Sequence, residues 1–334
     1  MASINSLQTR LLGAVGLGLC TSILSYLYYK YKYAKNEVLP TIWKQVGTLD
    51  EVHFYPIKSC AAIELDEAFC ENLGIQVGDE IKDRALMVIE KNGNLITARG
   101  YPKMLLIVSK IVGPSKMIIT APGMKDLHFD YSKLVDIDNF KKAEIFGHSA
   151  RVKDCGEECN TWFSTYILGQ PEGLLLVYYP YVDPTRPVAG VFQNGIFSKL
   201  DTGTFQDVSS YHLINNASIK DLNSRLTNEI FARQFRSNFY INTESAFGED
   251  NWQWIRIGNE AVFRNIAPCY RCILPNINPF TAQRDSDGQP LRTLKEYRMK
   301  PNSPLKSPVM GIQMGLRSVG RVKKGDAVFI EGAI

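Results

Sequence analysis

The stretch KDRALMVIEKNGNLITAR, residues 82–99, decides the fold class of this 334-residue chain. Its two apolar runs, ALMVIE and LITAR, are short and rich in branched aliphatic residues. Between them lies KNGN, residues 91–94, whose Asn-Gly pair is typical of a hairpin turn. The stretch therefore predicts two strands joined by a hairpin.

Short apolar runs separated by Gly, Pro or Asn continue through most of the chain. They include EVHFYPI, LLIVSKIV and KMIITA in the first half and FYINT, WIRIG, AVFRNI and DAVFIEG in the second. Many short strands with glycine and proline corners tend to close into barrels. We therefore expect a β-rich α+β protein with barrel-like parts and a few helices, and a domain boundary within residues 170–187, where prolines concentrate.

Two segments change to the helical period. In DCGEECNTWFSTYILG, Asp154 and Glu157 predict a capping box, and the residues at helical spacing from Cys159 form one apolar face. Gly169 is expected to end this helix. NASIKDLNSRL, residues 216–226, predicts a second helix.

Composition excludes several classes of protein. Hydrophobic residues make up 45% of the chain, which suffices for sizeable cores, so bulk disorder is not expected. The net charge of +4 is mild and no long basic run occurs, so nucleic acid is not an expected partner. An odd total of seven cysteines argues against a secreted disulfide scaffold and for a reducing compartment.

The run LLGAVGLGLCTSILSYLYY, residues 11–29, contains no charged residue. At about 1.5 Å per residue it spans roughly the hydrocarbon core of a bilayer. Three lysines follow it among tyrosines, which predicts a retained membrane anchor with the rest of the chain in the cytosol. A cleaved signal would need a small-residue cleavage site after the run, and none follows. A buried core helix is the other alternative.

The motif CYRC places Cys269 and Cys272 three positions apart. Spacing alone allows half a zinc site completed by Cys155 and Cys159, a redox pair, or two inert buried thiols. A cation such as Arg271 favours thiolate, which binds soft metals, and an arginine fork also suits phosphate. A soft metal carried on a phosphorylated cofactor would use both features.

Polar residues beside the predicted strands could seat such a cofactor. Lys58 and Ser59 lie on a turn after a strand and a proline, although a solvated loop lysine is the simpler reading of Lys58. Arg84 precedes an apolar strand, and TAR offers a further basic residue, Arg99, nearby.

Two later segments add polar groups at strand margins. FQDVSS contributes Asp207 and Ser209, and RQFRSNFYI contributes Arg236 and Asn238. Alternation with apolar neighbours predicts that Arg236 and Asn238 lie on one face of a strand. Each alone suggests a surface residue, but together they supply the donors that a pterin and a phosphate require.

The order of these motifs, YPIKSC, KDR, TAR, DCGE, DLNSRL, FRSN and CYRC, together with the apolar amino terminus, resembles the MOSC superfamily, and within it the mitochondrial amidoxime-reducing components. The resemblance runs from Trp43 to the carboxyl end. It implies an amino-terminal β-barrel module (residues 41–180) packed on a MOSC-domain β-barrel (residues 181–334), after one transmembrane helix in residues 1–36.

The resemblance also implies a molybdenum cofactor, a pterin dithiolene with a terminal phosphate. It makes Cys272 rather than Cys269 the thiolate on molybdenum, and Asp207 our candidate for delivering protons or ordering water. Val208 stands where relatives often have threonine, and Tyr270 replaces a small residue, so both are expected to act through the main chain. The implied cofactor-binding residues are Lys58, Ser59, Arg84, Ser209, Arg236, Asn238, Tyr270 and Arg271.

The implied activity is reduction of N-hydroxylated compounds by removal of oxygen at molybdenum. Electrons would come from NADH through a flavin reductase and a b-type cytochrome, because no flavin or nicotinamide site is evident in the sequence. The implied location is the mitochondrial outer membrane, facing the cytosol. The alternatives are a carrier of sulfur or cofactor, and a tethered structural zinc protein.

Overall fold

Short strands dominate the computed structural model, which describes residues 38–134, 138–186, 197–301 and 305–332. The strands are β1 (Trp43–Phe54), β2 (Ile63–Leu65), β3 (Glu67–Glu71), β4 (Gly74–Val77), β5 (Ile81–Lys82), β6 (Leu86–Glu90), β7 (Val108–Ile111), β8 (Lys116–Thr120), β9 (Leu127–Asp130), β10 (Phe140–Ile145), β11 (His148–Asp154), β12 (Leu174–Tyr178), β13 (Tyr211–Asn215), β14 (Phe239–Thr243), β15 (Trp254–Ile257), β16 (Ala261–Tyr270), β17 (Val309–Ser318), β18 (Gly320–Lys323) and β19 (Ala327–Glu331). The α-helices in these residues are α1 (Glu157–Leu168), α2 (Asn216–Asn223) and α3 (Leu291–Tyr297).

Seven of the strands close into a barrel. Their order is β14-β13-β17-β16-β15-β19-β1, and β1 pairs back to β14. β13 and β14 run parallel, whereas the other neighbours are antiparallel. The expectation of a β-rich α+β fold with a barrel and a few helices is confirmed.

Three smaller sheets complete the strand pairing, in the orders β10-β11-β12-β6, β18-β3-β4-β5 and β7-β8-β9. Each half of the chain contributes one strand to a sheet formed mainly by the other half. β1 closes the barrel formed by carboxyl-terminal strands, and β18 pairs with β3 near the amino terminus. A shared apolar core that includes Phe54, Leu86 and Ile312 joins the halves. The domain bounds 41–180 and 181–334 stay a prediction.

Helix α1 ends as predicted but begins differently. Gly169 adopts the left-handed conformation (φ 79°) and its N–H donates to Thr165. The expected capping box is wrong, because Asp154 is the last residue of β11 and Gly156 holds the N-cap position. Asp154 Oδ1 instead accepts hydrogen bonds from the N–H of Gly156 and from Asn160 Nδ2, each at 2.9 Å.

Two other local predictions hold in part. The KNGN turn forms and Ile89 pairs with Leu95 in a single bridge, but LITAR does not continue as a strand. The chain turns instead at Thr97, whose carbonyl accepts hydrogen bonds from the N–H groups of Gly100 and Tyr101. The second predicted helix, α2, stops at Asn223, short of Leu226.

The predicted membrane anchor, residues 11–29, lies outside the described residues. Among the residues that the structure does describe, no helix combines the length and apolar character needed to span a bilayer.

Candidate functional site

The turn after β1 is bonded directly to the turn before β6. The Lys58 N–H donates to the Leu86 carbonyl at 2.8 Å, and the Arg84 N–H donates to the Tyr55 carbonyl at 2.6 Å. Buried Asp83 stabilises both turns, because its Oδ1 accepts from the N–H of Tyr55 at 2.9 Å. This pairing brings the motifs YPIKSC and KDR together, with Lys58 and Arg84 in one region.

Lys58 is buried rather than solvated, so the simpler loop-lysine reading is wrong. Its ammonium donates to the Phe205 carbonyl at 2.7 Å and forms a short ion pair with Asp207 Oδ1. Burial lowers the pKa of Lys58 to about 8, against the attraction of Asp207. The lysine therefore joins the first half of the chain to the loop that precedes β13.

Asp207 and Arg99 connect Lys58 to the cysteine motif. Arg99 Nη1 lies 3.3 Å from Asp207 Oδ2 and 3.5 Å from Cys272 Sγ. The side chain of Asp207 is 49% exposed, so solvent reaches its carboxylate. Desolvation tends to raise the pKa of Asp207, but Lys58 and Arg99 outweigh it and the pKa falls well below its ordinary value. Asp207 is therefore ionised.

Two arginines stack on the buried ring of Tyr55. The guanidinium carbon of Arg84 lies 4.2 Å from the ring centroid, and that of Arg236 lies 4.5 Å from it. Arg236 Nη1 donates to the Cys60 carbonyl at 2.7 Å, whereas its buried Nη2 has no hydrogen-bond partner among the described residues. A buried cationic nitrogen without a partner is costly unless an anion binds there.

Left-handed backbone recurs at the predicted cofactor residues. Ser59 has φ 69°, Arg84 has φ 52° and Arg236 has φ 56°. Phe146, whose ring lies 5.1 Å from Lys58 Nζ, has φ 49°. Non-glycine residues in this region are strained and concentrate at functional sites.

The prediction that Arg236 and Asn238 share a strand face is wrong. Phe235 ends a short 3-10 helix, Arg236 follows it in left-handed conformation, and β14 begins only at Phe239. Asn238 is buried, and its Nδ2 donates to the His53 carbonyl at 3.2 Å. Arg236 therefore lies at a chain reversal, and Asn238 bonds to His53 of β1 and to His212 of β13.

The two cysteines of CYRC lie in different environments. Cys269, in β16, is buried, and burial raises its pKa. Gln313 Nε2 lies 3.0 Å from its sulfur. Cys272 is exposed, and its sulfur accepts from the N–H of Leu274 at 3.5 Å as well as from Arg99. Of the two thiols, Cys272 is the one available to a ligand.

The other ligands of the zinc alternative do not gather at CYRC. Cys159 packs in the apolar core on α1, and burial raises its pKa to about 12. Among the described residues, no group of three or more His, Cys, Asp or Glu ligand atoms includes Cys269 or Cys272. The geometry gives no support to a structural zinc site at this motif.

Three predicted residues make internal contacts. Arg271 donates to the carbonyl of Met310 through Nε at 2.9 Å and to that of Phe235 through Nη1 at 3.0 Å. Ser209 Oγ lies 2.8 Å from the Tyr211 carbonyl oxygen and 2.6 Å from Gln313 Oε1. Tyr270 ends β16, partly exposed. The Arg271 guanidinium therefore stabilises the barrel.

Sequence patterns missed two residues, and Arg99 was noted only for its charge. Buried Arg186 donates through Nη2 to the Thr204 carbonyl at 3.2 Å and to that of Gln206, which positions the loop before Asp207. Asp83 was overlooked because its bond to the N–H of Tyr55 spans 28 positions, although it also pairs with its neighbour Arg84. Clusters of charge next to proline turns were the available signal.

Cations outnumber carboxylates in this group of residues, which suits an anionic ligand. Both Arg186 Nε and Arg236 Nη2 are buried without a hydrogen-bond partner among the described residues. The exposed thiol of Cys272 is joined to Lys58 through Arg99 and Asp207. Phosphate donors at one end and a soft metal ligand at the other fit a metal carried on a phosphorylated cofactor.

Comparison with known proteins gives consistent results across the chain. The MOSC N-terminal beta barrel domain matches residues 46–170, and the MOSC domain matches residues 201–329. Mitochondrial amidoxime reducing component 2 of Bos taurus is 33% identical over 293 residues, covering 86% of this chain and 84% of the relative. Mitochondrial amidoxime-reducing component 1 of Homo sapiens is 32% identical over 327 residues, covering 96% and 93%.

Proposed function

Because the chain belongs to the family of MOSC-domain proteins that contains the mitochondrial amidoxime-reducing components, we propose that it is a molybdenum cofactor-dependent reductase of N-hydroxylated compounds. The observation that carries the proposal is the network from Lys58 through Asp207 and Arg99 to Cys272. It links a group of basic residues that suits an anion to an exposed thiol.

Different residues of this chain would bind different parts of the cofactor. Lys58, Arg84 and Arg236 would hold the terminal phosphate and the pterin, with the free Nη2 of Arg236 as a donor. Cys272 would bind the metal as thiolate. When bound, the cofactor supplies a redox-active metal that can take up an oxygen atom from an N–OH group.

Asp207 would deliver protons or order water beside the reacting group. Asp207 is ionised and half-exposed, so it suits ordering water or an N–H donor better than donating a proton itself. Lys58, which a bound phosphate would keep charged, holds Asp207 ionised through their ion pair. Arg99 holds Asp207 in place relative to Cys272.

Electrons would arrive from NADH through a flavin reductase and a b-type cytochrome. The amino-terminal residues would anchor the chain in the mitochondrial outer membrane, with the candidate site facing the cytosol. Named relatives at 33% and 32% identity are mitochondrial amidoxime-reducing components, which supports this assignment. The two functional modules would occupy residues 41–180 and 181–334.

Reconstitution tests the function. Protein expressed with molybdenum cofactor is mixed with NADH, cytochrome b5 and its reductase, and an aromatic amidoxime, and formation of the amidine is measured. We expect sustained turnover in the wild type and in Cys269→Ser, and none in Cys272→Ser. Cofactor binding without turnover in the complete electron chain would instead indicate a cofactor carrier.

A further inference from the structure

Glu51, His53 and Glu64 form a cluster away from CYRC, on the first two strands. Glu51 and His53 lie two positions apart in β1, so their side chains share one face, and His53 pairs across the sheet with Glu64 of β2. One ligand atom from each residue lies within 4.8 Å of the other two.

His53 is the unusual member of this cluster. Its side chain is fully buried, yet neither ring nitrogen makes a hydrogen bond among the described residues. Nε2 lies 2.7 Å from Glu51 Oε2, where a protonated ring forms an ion pair with the carboxylate, and His53 lowers the pKa of Glu51. Two electron-rich atoms at this distance repel each other unless a cation lies beside them. A proton can be that cation, and so can a metal ion.

We propose that Glu51, His53 and Glu64 bind a divalent transition-metal ion of the zinc type. Imidazole with carboxylates is a donor set that zinc accepts in four-coordinate sites, with water as the remaining ligand. Metal bonds of about 2.0–2.2 Å place tetrahedral ligand atoms about 3.3 Å apart. Glu51 and Glu64 are 30% and 40% exposed, so their side chains are free to adjust to this spacing.

Two basic residues compete with the metal for this site. Arg233 Nη2 lies 2.6 Å from Glu64 Oε2, and Lys324 Nζ lies 3.5 Å from Glu64 Oε1. They balance the carboxylates when no metal is bound, and a metal must displace at least Arg233. Removal of Arg233 should therefore strengthen metal binding, which a purely structural ion-pair cluster does not predict.

Zinc titration of the metal-depleted full chain by isothermal calorimetry tests the site. We expect one zinc site that Glu64→Gln and His53→Gln weaken at least tenfold and that Arg233→Gln strengthens severalfold. Glu172→Gln and His128→Gln are matched controls, because Glu172 pairs with Lys91 on the surface and His128 is exposed on β9. Neither control should change the affinity.

Cobalt(II) distinguishes this site from the thiols. Bound cobalt should lack the thiolate charge-transfer band, and its visible spectrum should disappear in Glu64→Gln, a half-exposed position where folding is not at risk. The proposal is overturned if Glu64→Gln and His53→Gln bind zinc like the wild type, if the wild type binds none, or if the cobalt spectrum shows cysteine ligation. None of these readouts depends on reductase activity, so the result is independent of the proposed function.

Discussion

Arg99 Nη1 lies 3.5 Å from Cys272 Sγ and 3.3 Å from Asp207 Oδ2, so one guanidinium joins two residues that follow it by 173 and 108 positions. The backbone of Arg99 is itself held, because Arg284 donates a short hydrogen bond to its carbonyl. A charged donor next to a metal-binding thiolate orients it and moderates its charge. The site therefore depends on how the TAR turn is placed.

Replacing Arg99 tests this role. Arg99→Gln should lower molybdenum retention or turnover about 10–100-fold, the usual cost of losing a residue that orients a metal ligand. Arg99→Lys should recover part of the loss, because it restores the charge but not the planar fork. Metal content and amidoxime turnover are measured together. Wild-type values in Arg99→Gln would contradict the role.

Lys58 gives stability a specific pH dependence. Burial lowers its pKa to about 8 in the folded chain, whereas an unfolded lysine titrates near about 10.4. Between these values the unfolded chain holds a proton that the folded chain lacks, so the contribution of Lys58 to stability grows as pH rises through this window. Below about pH 8 both states are protonated, and the contribution no longer changes.

Urea unfolding from about pH 7 to about pH 10.5 gives the unfolding free energies of the wild type and of Lys58→Met, which are then compared. We expect the difference in unfolding free energy, wild type minus variant, to increase by on the order of 2–3 kcal/mol in favour of the wild type. A difference that stays constant with pH would show that Lys58 titrates normally.

Tyr55 supports both arginines of the cluster through its ring. Tyr55→Leu should destabilise the fold by about 2–4 kcal/mol, because it removes a buried ring and two cation–π contacts. Tyr55→Phe keeps the ring and loses only the hydrogen bond from the hydroxyl to the Ser237 carbonyl, which should cost about 1 kcal/mol. Thermal unfolding distinguishes them, and equal losses would exclude a role for the stacking.

The same substitution should mainly reduce stability at Arg271 and mainly reduce cofactor content at Arg236. Arg271→Gln breaks bonds to the Met310 and Phe235 carbonyls and should cost about 2–4 kcal/mol of stability. Arg236→Gln loses one carbonyl contact and the stacking on Tyr55 and should cost about 1–2 kcal/mol, while greatly reducing cofactor content. Urea unfolding and pterin content are measured on both variants. Matching profiles would refute this division of roles.

Sequence periodicity predicted those helices and strands whose pattern of apolar residues lies within a single segment. The strands around ALMVIE and FYINT and the end of α1 at Gly169 follow from alternation and a left-handed glycine. It failed where the chain reverses: Arg236 takes a left-handed conformation just before β14, so alternation with its neighbours had no strand to describe.

The sequence suggests the residues of the candidate site but not the contacts between them. Motif order pointed to Lys58, Asp207 and Cys272, whereas the ion pair of Lys58 with Asp207 spans 149 positions and has no local signature. Asp83 and Arg186 were missed for the same reason, since they act on distant backbone carbonyls and N–H groups. Only the structure gives a physical reason to prefer Cys272 over Cys269 as the ligand, because Cys269 is buried and Cys272 is exposed.

X-ray absorption at the molybdenum edge, on purified wild type, Cys269→Ser and Cys272→Ser, tests the central claim most directly. It counts the sulfur atoms bound to the metal whatever the substrate. We predict that Cys272→Ser loses one sulfur neighbour, or the metal altogether, and that Cys269→Ser matches the wild type. An unchanged sulfur count in Cys272→Ser, or its loss in Cys269→Ser, would contradict the account.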